Sequence, residues 1–268
     1  MKADAALLEA VHRLALEAGK AIMRVYAGEF EVVAKDDHTP VTEADLAAHR
    51  LIEAGLRKLA PGLPVLSEEG ANIPYATRSS WGQYWLVDPL DGTGEFIKRN
   101  GEFTVNIALV EGQEAILGVV HAPALGLGYG AVRGGGAWKW PAGEARPVAI
   151  RARPHAATPP RIATSRSHGS PRMQAYLDAL GEHIRLSMGS ALKSCLVAEG
   201  AADLYPRLGP TSEWDTAAAQ CIVEEAGGQV TDTAMRRLRY NTKESLLNPE
   251  FFVFSDGDID WSAFLPQS

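Results

Sequence analysis

Between Phe103 and Trp140 the chain carries four strand-like runs, FTVNIALV, EAILGVVHA, LGYGAV and GAWKW. Only the short turn signals EGQ, APALG and RGGG separate them. Connections this short leave no room for the crossover that parallel strands need, so the runs read as an antiparallel meander. From Arg161 the pattern changes. RIATS, IRLSM, ADLYP, QVTD and FFVFS read as strands, and PRMQAYLDALG, SALKSCLVAEG and EWDTAAAQCIVEEAGG read as helices among them. Such alternation implies a layered α/β unit. The chain therefore divides into an α+β half over 1–150, holding the antiparallel sheet, and an α/β half over 151–268. The proline-rich PAGEARPVAIRARPHAATPP crosses between them.

Two helices precede the meander. Leu7, Leu8, Val11, Leu14, Ala15, Ala18 and Ile22 recur at helical spacing and predict a helix over 5–27. After KDDHTP, the residues Leu46, Ile52, Leu56 and Leu59 predict an apolar face on a second helix over 42–60. Asp4, Glu9, His12, Arg13 and Glu17 interrupt the first stripe, which marks an amphipathic helix rather than a signal peptide. No apolar run reaches the ~18 residues of a membrane span. With 46% hydrophobic residues in a chain of 268, a large packed core is expected. The formal charge of -7 argues against nucleic acid, whose phosphates demand Lys and Arg. A small phosphorylated ligand needs only a local site. Cys195 and Cys221 lie in apolar helical contexts and read as small buried hydrophobes. Two cysteines fit a reducing compartment, hence a cytoplasmic protein, with a peripheral place at the inner face of the membrane left open.

The chemistry concentrates in WLVDPLDGTGEF, residues 85–96. The apolar run Trp85-Leu86-Val87 stops at Asp88, and Asp91 follows three residues later. Pro89 removes a backbone donor and keeps Asp88 extended. The two carboxylates can then face one side with the Leu90 carbonyl between them. Gly92, Thr93 and Gly94 follow, with N–H groups available to an anion. Glu68 and Glu69 end another strand, and Asp215 starts a helix. Bare carboxylates about 4 Å apart repel by roughly 1 to 4 kcal/mol, so a converged cluster needs cations or protons. All-oxygen ligands select hard divalent ions such as Mg²⁺. Each piece also has a plainer reading. Asp215 could be a helix cap, SEEG a solvated turn, and Asp45 part of the capping box TEAD.

Taken together, the motifs resemble the inositol monophosphatase superfamily, and within it the bacterial 3′(2′),5′-bisphosphate nucleotidases. The resemblance spans nearly the whole chain. It rests on KDDHTPVTEAD (35–45), VLSEEG (65–70), WLVDPLDGTGEF, GVVHAPALGLGYGA (118–131), TSRSH (164–168), GSALKSCLVAEGAADLYPRLGPTSEWDTAAA (189–219) and LNP (247–249). It implies a layered α-β-α-β-α sandwich of the sugar-phosphatase type. Glu68, Asp88 and the Leu90 carbonyl would hold one Mg²⁺; Asp88, Asp91 and Asp215 a second; and a third, weaker ion would sit near Glu68. Thr93, with Asp45 or Glu68, would orient the attacking water. Gly92 and Thr93 would bind the scissile phosphate, with Asp215 also facing the substrate. Ser165, His168, Gly189 and Lys193 match positions that contact nucleotide. The chain departs from the branch at Gly94, where lysine is frequent, and at His38-Thr39.

The implied reaction is Mg²⁺-dependent hydrolysis of the 3′-phosphate of 3′-phosphoadenosine 5′-phosphate to AMP, by a monomer or homodimer. The alternatives are an inositol 1-phosphate or fructose 1,6-bisphosphate phosphatase of the same superfamily, and an idle metal- or phosphate-binding protein. Lys193, near a helix start, and Arg207 are candidate cations for a second phosphate, remote from the metals.

Overall fold

The computed structural model describes residues 1–34, 40–144, 146–166 and 169–266. Helix α1, Ala5–Tyr26, starts where Asp4 caps it, accepting the Leu7 N–H at 3.0 Å. Its buried face is the expected stripe of Leu7, Leu8, Val11, Ala15, Ala18 and Ile22. A short pair, β1 (Val32–Ala34) and β2 (Pro40–Thr42), was not visible as a sequence pattern. Helix α2, Glu43–Leu59, packs on α1 with Ile52 and Leu56 turned inward as predicted, while two of the four expected residues are not buried. Ala44, Ala48, Ile52 and Leu56 are buried, whereas Leu46 and Leu59 are exposed. The i, i+4 row Ala44, Ala48, Ile52, Leu56 forms the packed ridge; Leu46 lies off it and Leu59 is the last residue of the helix.

One seven-stranded sheet follows: β3 (Val65–Ser67), β4 (Gln83–Asp91), β5 (Thr104–Glu111), β6 (Glu114–Ala122), β7 (Leu127–Val132), β8 (Ala137–Trp140) and β9 (Val148–Ile150), neighbours in that order. Two short helices belong to this half, α3 (Tyr75–Arg78) and α4 (Thr93–Ile97). The β5–β8 meander is antiparallel as expected, and β3 runs parallel to β4.

The second sheet uses β10 (Arg161–Ser165), β11 (Ile184–Met188), β12 (Leu204–Arg207), β13 (Gln229–Asp232) and β14 (Phe251–Phe254), in the order β11-β10-β12-β14-β13. Its helices are α5 (Pro171–Leu180), α6 (Leu192–Ala198) and α7 (Glu213–Glu225). Helices α1 and α2 cover one face of the large sheet. Helices α6 and α7 fill the space between the sheets, and α5 covers the outer face of the small one. The layers are thus helix, sheet, helix, sheet, helix. Among the described residues no helix is long and apolar enough to cross a membrane.

The middle layer is tight for a sequence reason. A Cβ on Gly118 of β6 would lie 2.1 Å from the Ala218 carbonyl of α7. Glycine opposite the Ala217-Ala218-Ala219 run lets the helix backbone rest on the strand. Both cysteines are buried in this layer, as expected.

The seam between α1 and the sheet contains two histidines. His12 stacks on Trp140, centroids 3.9 Å apart, and its buried Nε2 has no hydrogen-bond partner. His121 pairs its Nδ1 with the Leu127 carbonyl at 3.0 Å. Burial, with the charges of His121 and Arg13, pushes the His12 pKa down to about 4. A histidine depressed on folding contributes stability that is complete above its unfolded pKa and is lost as pH falls toward the folded value. In metal-free protein, the melting temperature of the wild type relative to His12→Gln should therefore fall between about pH 6.5 and pH 4. Parallel wild-type and variant curves across that window would exclude His12 as the titrating group.

Candidate active site

Strand β4 delivers Asp88 and Asp91 to the sheet end, and its pairing explains how both face one way. Asp88 is opposite Asn106 and Asp91 is opposite Thr104, so three steps on β4 match two on β5. Residues three apart on a regular strand point to opposite faces; the bulge's extra residue restores a shared face. Asp88 Oδ1 accepts the Leu90 N–H at 3.0 Å. Asp91 Oδ2 accepts the Ala191 N–H at 2.7 Å, with the Thr104 hydroxyl and the Asn106 amide each at 3.4 Å.

Asp215 arrives from the first turn of α7. Its Oδ2 accepts the Ser212 N–H at 2.9 Å, completing a capping box. The cap and the cluster are compatible, because a carboxylate has two oxygens. Asp88, Asp91 and Asp215 each offer an oxygen within 4.8 Å of the others. Glu68 follows β3, which pairs with β4 one residue before Asp88, Ser67 opposite Val87. Its charge is felt at both Asp88 and Asp215.

The electrostatics follow from burial. Asp88 is pushed well above the carboxylate range by desolvation, then by Glu68, Asp91 and Asp215. Asp215 is pushed up to about 8 by desolvation and by the charge of Asp91. Asp91 is also raised by burial, opposed by Lys193. A cluster that resists ionisation until a cation arrives, with only oxygen donors, fits hard divalent ions.

Beside it lies a hydroxyl–carboxylate pair. Thr93 Oγ1 donates to Asp45 Oδ1 at 3.2 Å, with the Leu90 carbonyl an alternative acceptor at 3.4 Å. Asp45 Oδ2 accepts both the N–H and the hydroxyl of Thr42, at 2.8 and 2.7 Å. Asp45 therefore serves the capping box with one oxygen and Thr93 with the other. Burial raises its pKa. Gly92 has φ of 89°, and a Cβ there would lie 2.1 Å from Ser190 Oγ. Glycine is required on both counts.

One cleft is lined by Asp91, Gly92, Ser165, Gly189, Lys193 and Asp215, joined by Gly94, Glu95 and Arg207. Lys193 is not a solvated helix residue. It is buried, donates from Nζ to the Ser190 carbonyl at 2.7 Å, and lies 5.2 Å from the Tyr205 ring centroid. Burial lowers its pKa to about 8, while Asp91 pulls the other way. Arg207 donates to the Pro210 carbonyl at 2.7 Å. His168 lies outside the described residues, as does most of KDDHTP.

Sequence reasoning missed Glu102. Its carboxylate accepts Arg166 through Nε at 3.0 Å and Nη2 at 2.7 Å, and also the Gly189 N–H at 2.8 Å. The Ser190 hydroxyl lies 2.8 Å from the main-chain carbonyls of both Asp91 and Glu102. This knot fastens the small-sheet half of the cleft to the large-sheet half. No local motif announces Glu102, because its partners come from sequence-distant loops.

The family model for the inositol monophosphatase family matches residues 4–253. The chain is 52% identical over 249 residues to the 3′(2′),5′-bisphosphate nucleotidase CysQ of Shigella flexneri, covering 92% of this chain and 99% of that one. It is 39% identical over 257 residues to the protein of the same name from Haemophilus influenzae, covering 95% of each. Among solved structures, CysQ from Bacteroides thetaiotaomicron superimposes with a TM-score of 0.79 at 42% identity, covering 93% of this chain and 97% of that one. The suhB protein of Bartonella henselae gives a TM-score of 0.79 at 26% identity, covering 98% and 100%.

The repulsion in the cluster has a measurable consequence. Asp215 carries a pKa of about 8, above its unfolded value, so metal-free protein loses stability as pH rises from the unfolded value towards 8. Asp215→Asn should melt at a higher temperature than wild type in chelator at pH 8.5, and should lose the rise that Mg²⁺ gives the wild type. A variant that melts lower in chelator would show that Asp215 acts mainly as a helix cap.

Proposed function

We propose that this chain, which belongs to the inositol monophosphatase family, hydrolyses the 3′-phosphate of 3′-phosphoadenosine 5′-phosphate to AMP and phosphate with Mg²⁺. The observation that carries the reading is the convergence of Asp88, Asp91 and Asp215 within 4.8 Å, next to the Thr93–Asp45 pair. The nucleotidase assignment, rather than a sugar phosphatase, draws on relatives such as the Shigella flexneri protein at 52% identity. It fits a cleft that carries Lys193 and Arg207 beside the carboxylates.

Glu68, Asp88, Asp91 and Asp215, with the Leu90 carbonyl, would hold two or three Mg²⁺. Bound there, the ions supply charge for the phosphate and leaving oxygen and lower the pKa of water. The protein's own part is positional. Asp45 accepts the Thr93 hydroxyl hydrogen, which leaves the Thr93 oxygen free to accept from the attacking water and aim it. Asp45 or Glu68 takes up the proton as the water attacks. Gly92 keeps the turn open so that backbone N–H groups can meet the scissile phosphate. Phosphoryl transfer needs little beyond such positioning and charge, so no serine or cysteine nucleophile is required. Ser165, His168 and Gly189 would contact the nucleotide, and Lys193 would meet the second phosphate. We expect the protein to work in the cytoplasm, as a monomer or homodimer.

Phosphate release should be measured on 3′-phosphoadenosine 5′-phosphate, inositol 1-phosphate and fructose 1,6-bisphosphate at equal concentration. The first should be fastest and should stop in chelator; faster turnover of inositol 1-phosphate would overturn the nucleotidase reading. Thr93→Ala should lower kcat about a hundredfold or more, the range of a lost acid–base contribution, with KM little changed. Lys193→Ala should raise KM for the bisphosphate about ten- to a hundredfold, since a charge-assisted contact is worth roughly 1.5 to 3 kcal/mol. A 3′-monophosphate should be barely affected. Equal losses on both substrates would make Lys193 a scaffold residue.

A further inference from the structure

Arg78 is almost fully buried, at 1% exposure, although no part of the proposed chemistry uses it. Its guanidinium reaches across to a segment more than 160 residues away in sequence. Nη1 donates to Asn241 Oδ1 at 2.6 Å, and Nη2 donates to the Lys243 carbonyl at 3.0 Å and to the Glu244 carbonyl. Asn241 returns the contact, donating from Nδ2 to the Arg78 carbonyl at 2.6 Å. Its backbone is left-handed, with φ of 54°, which any residue but glycine adopts at a cost.

The same asparagine passes the contact on. The Asn241 N–H donates to Glu213 Oε2 at 2.8 Å, and Glu213 is the first residue of α7, two before Asp215. From there residues 241–248 run along the start of that helix. The Glu213 N–H donates to the Leu246 carbonyl at 2.8 Å, and Ser212 pairs with Leu247 as an antiparallel bridge. Asn248 closes the run. Its N–H donates to the Thr211 carbonyl at 2.8 Å, and its Nδ2 to the Ser212 carbonyl at 2.7 Å and to Thr216 Oγ1 at 3.0 Å. This accounts for the LNP motif at 247–249, which no metal or substrate role absorbs.

A helix start is the least constrained part of a helix, because its first N–H groups have no intrahelical partner. Here that start carries the one ligand of the carboxylate cluster that the second half of the chain contributes. Asp88 and Asp91 are fixed by sheet pairing; Asp215 rides the first turn of α7, so the segment that holds that turn helps to set its position. We propose that residues 241–248 are a strap that sets the position of Asp215, with Arg78 and Asn248 as its two fastenings, so that both are positioning residues for the metal cluster. The inference rests on the metal reading of the cluster and not on the identity of the nucleotide.

The test is Mg²⁺ binding to substrate-free protein by titration calorimetry, with the chelator-treated melting temperature measured on the same samples. The variants are Asn248→Ala, Arg78→Lys and Arg78→Met. Loss of a group that orients a metal ligand costs roughly ten- to a hundredfold in metal affinity. Asn248→Ala should raise the Mg²⁺ dissociation constant about tenfold while its metal-free melting temperature stays within a few degrees of wild type. Arg78→Met should weaken Mg²⁺ binding further, and Arg78→Lys, which keeps the charge but not the fork of donors, should fall between. If Arg78→Met does not fold, Asn248→Ala and Arg78→Lys decide. Variants that lose stability but bind Mg²⁺ as wild type does would overturn the strap. A wild type that takes up no Mg²⁺ would overturn the metal reading beneath it.

Discussion

Mutual repulsion among Asp88, Asp91 and Asp215 is the constraint to which the rest of the molecule answers. Three carboxylates, with the charge of Glu68 beside them, are gathered at one point, where burial and neighbouring charge make Asp88 and Asp215 hard to ionise. Left to itself such a cluster would spread. It stays because its members arrive on independently fixed elements. Asp88 and Asp91 ride a strand paired to β5 on either side of its bulge, Glu68 follows a strand parallel to it, and Asp215 stands on a helix clamped between two sheets. Each residue also spends a carboxylate oxygen on a backbone N–H: Asp88 on Leu90, Asp91 on Ala191, Asp215 on Ser212. Those bonds aim the remaining oxygens inward.

The layered architecture then follows from geometry. Residues 88 and 215 can meet only if α7 lies flat on the large sheet. Gly118 and the alanines at 217–219 permit that approach, with Gly118 so close to the Ala218 carbonyl that no side chain would fit. The small sheet closes the other face of α7 through β13, and the segment before β14 bonds to the helix start. The same compression explains Gly92 and Ser190, where the two halves touch beside the cleft and Ser190 takes a left-handed φ of 50°.

Much of this was readable in the sequence, and the exceptions have physical causes. Strand and helix periodicity predicted the meander and the later alternation, because each element buries one face. DPLDGT marked the site because carboxylates ending an apolar strand demand an explanation. The bulge that turns Asp88 and Asp91 to one side was not readable, since it depends on where β5 pairs. On α2, Ile52 and Leu56 were readable as inward, but Ala44 and Ala48 were not, because alanines make no hydrophobic signal as strong as the exposed Leu46 and Leu59. Arg78, Glu102 and Asn241 were invisible for a third reason. Each acts through partners 28 or more residues away, and nothing within a local window distinguishes a buried arginine from a solvated one.

Charge in the cleft is distributed so as to give a substrate one orientation. The carboxylate end needs metal before it can accept a phosphate, because bare anions there would repel it. Lys193 and Arg207 line the same cleft and already carry the opposite sign. Lys193 is held by the Ser190 carbonyl and is not paired directly to a carboxylate among the described residues. It lies near enough to Asp91 for each to shift the other's titration, yet it remains free to face a second anion. On the function proposed above, a substrate with two phosphates would meet metal at one and these cations at the other. Desolvation disfavours that lysine's charge, and the neighbouring carboxylates of Asp91, Glu95 and Asp215 oppose that effect, so the cation is kept in the cleft by the same cluster that needs a metal.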